Sequence, residues 1–398
     1  MSIGIAADEF PILWQPPELS GNTSRMAEFM RMLEAEGYGP FSDYEGLWQW
    51  SVDHRAEFWS AMWRTGGVIS SRAADLVLVD GDAMPGSRWF VGARLNFAEN
   101  LLRYRDEEPA ILFRGEDGRE ECLSYAELHR RTARLAAFLQ ELGIGEGDRV
   151  AAVVPNIPQA VIGMLACAWL GAAWSSCSPD FGVEGILDRF GQIRPKVLFT
   201  ANGYSFKGKQ LDSLERIGTI LKQLPSIERV VVVPYTQVDP DISGVPNAVM
   251  FRDFIAPETD LNIEFEQLPF DHPLYILYSS GTTGKPKCIV HGQGGTLLQH
   301  LKELVLHINL RRQDRLCYYT TCGWMMWNWM VSGLATGCAL VLYEAEARLA
   351  KDDTALFKIG NTIMARADGG FGGPRGMGPS PHRPPRREPD RHRVRCAR

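Results

Sequence analysis

The chain has 398 residues, with 48 acidic side chains against 42 lysines and arginines, and its net charge of −6 argues against a nucleic-acid partner. Its first ten residues lack a positive region followed by an apolar run, so no signal peptide is predicted and we expect a cytoplasmic protein. Two long uncharged stretches, residues 150–179 and 316–343, are interrupted by Pro or by Thr, Gly and Asn. We therefore assign them to buried core rather than to membrane spans.

Predicted helices and strands alternate through the middle of the chain. In order, we predict a helix at 125–142 opened by a capping box of Ser124 and Glu127, a strand at 149–154, helices at 158–170 and 183–193, a strand at 196–201, a helix at 211–224 and a strand at 229–235. This succession predicts an α/β fold with mostly parallel sheets flanked by helices. In such sheets ligands bind at the carboxyl ends of the strands.

A glycine- and hydroxyl-rich loop with two lysines spans Tyr278 to Lys287, in the sequence Y-S-S-G-T-T-G-K-P-K. Predicted strands at 274–278 and 288–291 flank it, and Thr296 is the predicted N-cap of the helix that follows. Small residues, backbone amides and lysines together suit a polyphosphate. The loop is not a Walker A motif, because Pro286 follows Gly284-Lys285. An ordinary polar hairpin loop is the alternative interpretation.

This loop resembles the phosphate loop of the acyl-adenylate-forming ligases, which convert a carboxylate and ATP to an acyl-adenylate and pyrophosphate and then pass the acyl group to a thiol such as CoA. The resemblance implies ATP, CoA and, with ATP, Mg²⁺ as cofactors. It also implies catalytic roles for Thr283 and Lys287. The implied ATP-phosphate ligands are Ser279, Ser280, Gly281, Thr282, Thr283, Gly284, Lys285 and Lys287.

A tryptophan-rich segment, T-T-C-G-W-M-M-W-N-W, follows at Thr320 to Trp329. Tryptophans at this spacing line a pocket or pack in a core, and the residues alone leave both open. Because Gly323-Trp324 resembles the corresponding pair of short-acid ligases, the resemblance implies that Trp324, Met325 and Met326 border the acyl group. Asn328 is a candidate donor to a substrate carbonyl, or else a structural residue bonding its own backbone.

Further stretches narrow the resemblance to one branch of the family. Residues 44–59 and 88–102 are similar to the leader region of acetyl- and acetoacetyl-CoA synthetases, while Cys288 and residues 175–182 favour the acetoacetate-activating branch. The resemblance implies a ligase acting on acetoacetate, with another short-chain acid or a non-catalytic remnant as alternatives. Lys209 is implied to meet the CoA phosphates, with a solvated lysine as the alternative. The oligomeric state is not indicated.

We predict three regions along the chain. Residues 1–102 form the leader, 103–358 a partial adenylation domain, and 359–398 a disordered Arg-, Pro- and Gly-rich tail. Residues 361–398 hold nine arginines and three acids, a charge of +6, which indicates a basic RNA-binding arm or, in our preferred interpretation, out-of-frame translation. Family motifs for adenine and ribose are not found after residue 344. We therefore expect a truncated chain without ligase activity of its own.

The eight cysteines contain no C-x-x-C pair and have no accompanying cluster of histidines. Such a pattern does not predict a zinc site. We expect reduced thiols and no metal bound by protein ligands alone.

Overall fold

The structure is a computed structural model that describes residues 23–206, 208–255, 263–279 and 284–344, together with the backbone of 362–365 and 371–372. The α-helices among these residues are α1 Arg25–Ala35, α2 Tyr44–Asp53, α3 Arg55–Thr65, α4 Phe97–Leu101, α5 Tyr125–Glu141, α6 Pro158–Trp169, α7 Val183–Ile193, α8 Leu214–Leu221, α9 Arg252–Ile255, α10 Gln293–Leu301 and α11 Met325–Val331. A π-helix, Lys302–His307, extends α10, and a 3-10 helix, Ser332–Thr336, extends α11.

The strands, in chain order, are β1 Leu76–Val79, β2 Arg88–Val91, β3 Arg94–Leu95, β4 Pro109–Gly115, β5 Glu120–Ser124, β6 Arg149–Val153, β7 Ala173–Cys177, β8 Val197–Ala201, β9 Gly203–Phe206, β10 Lys209–Asp212, β11 Arg229–Val233, β12 Ala248–Met250, β13 Leu268–Pro269, β14 Pro273–Tyr278, β15 Cys288–Gly292, β16 Arg315–Tyr318, β17 Ala339–Glu344, β18 Thr362–Ala365 and β19 Phe371–Gly372.

A seven-stranded sheet has the order β12-β11-β8-β6-β7-β14-β15. All neighbours are parallel except β15, which returns antiparallel to β14. Its central strands are continuous apolar runs, as in β11 with four consecutive valines, because both faces of the sheet are covered. One face packs on α7 and α8 through a core that contains Ile186, Phe190 and Ile217, and the other belongs to the main core.

The second sheet has six strands in the order β19-β18-β16-β17-β4-β5, parallel at its centre and antiparallel at both outer pairs. Helix α6 packs against α5, and every residue of α6 except Gln159 is buried. A helix without a polar face requires apolar neighbours all around it. The predicted α/β class, with mostly parallel sheets flanked by helices, is therefore confirmed.

Local signals explain where most helices begin, although two predicted starts are wrong. Ser124 Oγ accepts the N–H of Glu127 at 3.1 Å, but the Glu127 carboxylate pairs with Arg131, so only half of the predicted capping box forms. The helix expected from residue 211 begins at Leu214, because β10 takes the preceding residues. The helix expected from Thr296 begins at Gln293, immediately after extended Gly292.

Two buried side-chain amides, Asn96 and Gln293, connect residues 95–97 to later segments of the chain. Asn96 Nδ2 donates to the carbonyls of Ala168, Trp169 and Glu266 at 2.8–3.1 Å. Gln293 Nε2 donates to the carbonyls of Leu95, Leu268 and Pro269, and its Oε1 accepts the N–H of Phe97. Buried carbonyls need such partners, so both amides set the register between segments far apart in sequence.

Two further expectations concern membrane spans and thiols. Among the described residues, no helix is both long and apolar enough to cross a membrane. Six cysteines are free thiols, namely Cys167, Cys177, Cys288, Cys317, Cys322 and Cys338.

Candidate active site

The phosphate loop joins β14 to β15 as a hairpin, as its flanking residues predict. The N–H of Ser279 donates to the carbonyl of Lys287 at 3.0 Å, and the N–H of Lys287 donates to Ser279 Oγ at 3.2 Å. Gly284 has a φ of +94°, a conformation that only glycine adopts without strain. Four of the predicted phosphate ligands lie outside the described residues: Ser280, Gly281, Thr282 and Thr283.

Helix α7 holds the returning arm of this hairpin. Lys285 Nζ lies 3.2 Å from Asp188 Oδ1, and Gln192 Nε2 donates to the carbonyl of Pro286 at 2.8 Å. The Lys285 side chain is nevertheless 73% exposed, so this ion pair is worth at most about 1 kcal/mol. Both Lys285 and Lys287 are thus exposed to solvent, where an anionic ligand can reach their positive charges.

Strand β7 supports the hairpin from its other side. Ser175 Oγ lies 3.0 Å from Tyr278 Oη and donates to the carbonyl of Ile276 at 2.9 Å. Burial raises the pKa of Tyr278, so its phenol stays protonated at neutral pH. The guanidinium of Arg189 lies 5.7 Å from the centre of the same ring. The base of the phosphate loop is therefore packed, in contrast to its exposed lysines.

The tryptophan-rich segment lies against the ends of β6 and β7. Ser176 Oγ donates to the carbonyl of Cys322 at 2.7 Å, and Trp327 Nε1 donates to Asn156 Oδ1 at 2.9 Å. Because Ser175 contacts the phosphate hairpin and its neighbour Ser176 contacts the tryptophan segment, one strand end joins the two motifs. Consecutive strand residues face opposite sides of a sheet, so the two motifs contact opposite faces near the carboxyl end of β7.

The predicted acid-binding residues differ sharply in burial. Trp324 is 66% exposed at the start of α11, Met325 is also exposed, and Met326 is half-buried. Asn328 is only 1% exposed, and neither polar atom of its side chain has a hydrogen-bond partner among the described residues. The alternative in which the Asn328 side chain bonds its own backbone is therefore wrong. An unsatisfied buried amide costs about 1–3 kcal/mol, and a ligand carbonyl could accept a hydrogen bond from its Nδ2.

A cavity of about 800 Å³, here called the leader cavity, lies behind the tryptophan segment. It is formed by Arg88–Arg94 of the leader, residues 269–271 and 290–292, one side of α10, and two residues of α11, Met325 and Trp329. Trp329 is 2% exposed, and its Nε1 has no hydrogen-bond partner within the described part of the chain. Of the predicted acid-binding residues, the structure places Met325 on this wall.

His300 also borders the leader cavity. Its Nδ1 lies 2.7 Å from Ser332 Oγ, and that hydroxyl in turn donates to the carbonyl of Asn328 at 3.2 Å. Burial, with His291 nearby, lowers the pKa of His300 to about 3. The imidazole is therefore neutral at physiological pH and fixes α10 against α11 rather than supplying charge.

A second, smaller cavity of about 130 Å³ lies between the carboxyl ends of the two sheets. Its wall includes Asn156, Asp180 and Glu344 as well as Tyr204 and Phe206 of β9. Lys209, the predicted CoA ligand, is exposed on β10, which pairs with β9 in a hairpin. The neighbouring Lys207 lies outside the described residues.

Glu344, on the wall of this second cavity, has a strongly altered ionisation. Burial raises the pKa of its carboxyl to about 7, with Glu116 and Asp117 adding to the effect. Its Oε2 accepts a short hydrogen bond from Tyr235 Oη. In the described residues no three His, Cys, Asp or Glu side chains cluster as a metal site.

Sequence reasoning missed the residues that assemble these motifs. Ser175 and Ser176 contributed only to a subfamily resemblance, and Asp188 and Gln192 looked like ordinary polar positions of a surface helix. Their importance depends on strand order, which places β7 beside β14. A signal did exist, since two adjacent serines precede the last residue, Cys177, of an otherwise apolar buried strand.

Comparisons with known proteins agree with this architecture. The AMP-binding enzyme family matches residues 97–365, and the acetyl-coenzyme A synthetase N-terminus matches residues 44–101. An acetoacetyl-coenzyme A synthetase from Rhizobium meliloti is 49% identical over 336 residues, covering 83% of this chain and 51% of that protein. A malonamoyl-CoA synthetase from Penicillium aethiopicum is 41% identical over 371 residues, covering 87% and 51%.

The solved structure of acetoacetyl-CoA synthetase from Streptomyces lividans superposes with a TM-score of 0.79 at 43% identity, covering 83% of this chain and 51% of that one. The chain thus spans about half the length of the curated relatives it matches. The matched family region contains both the phosphate hairpin and the tryptophan segment. The chain belongs to the family of AMP-binding enzymes.

Proposed function

We propose that this chain carries the phosphate- and acid-binding part of an ATP-dependent acetoacetate–CoA ligase. The reaction forms acetoacetyl-AMP and pyrophosphate, and then acetoacetyl-CoA and AMP. The observation that supports this proposal is that adjacent residues of β7 contact both motifs, Ser175 through Tyr278 at the base of the phosphate hairpin and Ser176 through Cys322 of the tryptophan segment. This is the carboxyl end of a parallel sheet, where ligands of α/β proteins bind.

In the first step the acid carboxylate attacks the α-phosphorus of ATP. The protein contributes position and charge neutralisation, which dominate catalysis of phosphoryl and nucleotidyl transfer. We assign Lys285 and Lys287 to the phosphates, together with Ser279, Gly284 and the loop residues between them, Ser280, Gly281, Thr282 and Thr283. Mg²⁺ enters with the nucleotide and neutralises its phosphates. Thr283 and Lys287 are the proposed catalytic residues.

The acid is proposed to lie beside α11, with Trp324, Met325 and Met326 bordering its carbon chain. The unpartnered Asn328 side chain supports a role for this residue as donor to the 3-oxo group. Malonamate and acetoacetate, the acids in the names of the two relatives above, share a carbonyl at that carbon. Lys209 is the proposed contact of the CoA phosphates, and residues 1–102 the proposed leader region.

The test is acid-dependent exchange of pyrophosphate into ATP, measured with the chain mixed with a carboxy-terminal fragment of an acetoacetyl-CoA synthetase. We expect acetoacetate to support exchange at least about tenfold faster than acetate or butyrate, a difference of about 1.4 kcal/mol. If acetate supports exchange at an equal or higher rate, the substrate is a short unsubstituted acid rather than acetoacetate. No acid-dependent exchange would favour a non-catalytic protein.

A further inference from the structure

The leader cavity is much larger than acetoacetate requires. Its volume of about 800 Å³ is typical of sites that enclose drug-sized ligands, whereas acetoacetate has only seven non-hydrogen atoms. The surplus space is not closed by the first turn of α10. A Cβ atom built on Gly295, which lines the cavity, would meet nothing within 4 Å.

Part of the cavity wall is apolar, and the rest includes the charged residues Arg72, Arg88, Arg94, Asp271 and Glu303. Phe90 and Phe270 contribute stacked rings with centroids 4.9 Å apart, and Val290 and Met325 add aliphatic surface. Val290 and Met325 are among the more exposed large apolar residues of the protein, so a ligand covering them would remove apolar area from water. Such walls suit an alkyl chain.

One polar group on this wall, the indole N–H of Trp329, lacks a hydrogen-bond partner among the described residues. The indole N–H of Trp329 is a donor only, is almost fully buried and has no acceptor among the described residues. His300, also on the wall, has its Nδ1 engaged by Ser332. A ligand that enters beside Trp329 is therefore favoured if it carries a hydrogen-bond acceptor, and a ketone oxygen is one.

One residue of the cavity wall, Met325, is also a proposed acid-binding residue. Val290 lies three strand residues beyond Lys287, a distance of about 10 Å at the usual rise of a β-strand. Met325 directly follows Trp324 in the tryptophan segment. An acid whose carboxylate lies near the phosphate hairpin can thus extend its carbon chain into the cavity.

We propose that the leader cavity binds the alkyl end of 3-oxo acids longer than acetoacetate, with the Trp329 N–H donating to a carbonyl oxygen of the ligand. The proposal rests on the proposed function for the position of the carboxylate. It widens the substrate class from one four-carbon acid to linear 3-oxo acids of about eight carbons.

Ligand-observed NMR titrations of the 398-residue chain test this directly, with acetoacetate, 3-oxooctanoate and octanoate as probes. Each buried methylene contributes to affinity, so we expect 3-oxooctanoate to bind at least about tenfold more tightly than acetoacetate. Octanoate, which lacks the ketone, should bind about fivefold more weakly than 3-oxooctanoate.

Gly295→Leu fills the cavity and should reduce the affinity ratio of 3-oxooctanoate to acetoacetate by about tenfold. Gly218→Leu is the matched control, because Gly218 is also helical and its Cβ would also meet nothing within 4 Å, yet it lies away from the leader cavity. That control should leave the ratio unchanged. Trp329→Phe should reduce the preference for 3-oxooctanoate over octanoate, because Asn328 remains as the other proposed donor, while retaining an aromatic ring.

The outcomes separate this proposal from the function on which it rests. If acetoacetate binds but 3-oxooctanoate binds no better, or if Gly295→Leu leaves the ratio unchanged, the proposal fails and the function stands. If 3-oxooctanoate binds in the cavity while acetoacetate neither binds nor supports pyrophosphate exchange, the acetoacetate function fails and the cavity assignment survives.

Discussion

The phosphate hairpin and the tryptophan helix α11 touch neighbouring residues of β7 but are built by opposite means. The hairpin exposes its lysines and is fastened by a few hydrogen bonds at its base. In α11 the residues from Trp327 to Val331 are all buried, and polar atoms of Asn328 and Trp329 have no partner among the described residues. The hairpin exposes positive charge, whereas the helix is packed and leaves buried polar atoms without partners among the described residues.

The largest expected difference between the two regions is in stability. Trp327 is fully buried and its Nε1 donates to Asn156, so Trp327→Ala should lower the free energy of unfolding by about 3–5 kcal/mol. Trp324→Ala, at the exposed end of the same segment, should cost less than about 1 kcal/mol. Urea unfolding measures both. Equal losses would mean that the segment packs as one unit.

A second prediction concerns the Glu344 carboxyl, which is partly buried near the ends of the two sheets. Because burial raises the folded-state pKa of Glu344 to about 7, the folded protein binds this proton more tightly than the unfolded chain does. Stability should therefore fall as pH rises from about 4.5 to 7 and then level off, with a contribution of up to about 3 kcal/mol. Glu344→Gln should flatten this part of the profile in urea unfolding at pH 5 and pH 8. An unchanged profile would mean that the Tyr235 hydrogen bond compensates for burial.

Gln293 directly follows the returning strand of the hairpin, β15, and is the first residue of the next helix, α10. Gln293→Ala leaves three carbonyls and the N–H of Phe97 without their partner, so we expect a loss of about 1–3 kcal/mol in unfolding free energy. The exposed Gln140, near the end of α5, is the control, and Gln140→Ala should stay within about 0.5 kcal/mol. A neutral result for Gln293→Ala would show that water replaces the amide.

The smallest effect should come from the support of the hairpin by α7. Asp188→Asn keeps the size of the side chain and removes its ion pair with Lys285. Stability should change by less than about 0.5 kcal/mol, while affinity for Mg·ATP should rise by up to about fivefold because the lysine is released. Isothermal titration measures the affinity. A loss of affinity would instead mean that Asp188 positions the loop.

The same contrast explains how much the sequence predicted. The hairpin between β14 and β15 could be predicted because its glycine, hydroxyl and lysine residues are consecutive, and the strands that flank it follow from short apolar runs. Parallel strands and the buried helix α6 likewise follow from local pattern. The first turn of α10 was misplaced because Gln293 is held by carbonyls of distant segments, a tertiary contact that propensity does not contain.

The acid site was predicted less completely. Trp324, Met325, Met326 and Asn328 came from one stretch of sequence, but only the fold shows that Trp324 is exposed and Asn328 buried. Trp329, a neighbour of those residues, was taken as one more tryptophan. Its position on the cavity wall depends on residues 88–94, a segment more than two hundred residues earlier in the chain.

We propose above all that the hairpin from Ser279 to Lys287 binds the polyphosphate of ATP. Isothermal titration of the chain with Mg·ATP and with AMP tests it, using Lys287→Ala and, as control, the exposed surface change Lys222→Ala. We predict that Mg·ATP binds more tightly than AMP and that Lys287→Ala weakens ATP binding by about tenfold or more, with AMP and the control unaffected. Equal affinity for ATP and AMP, or ATP binding that is indifferent to Lys287→Ala, would contradict the account.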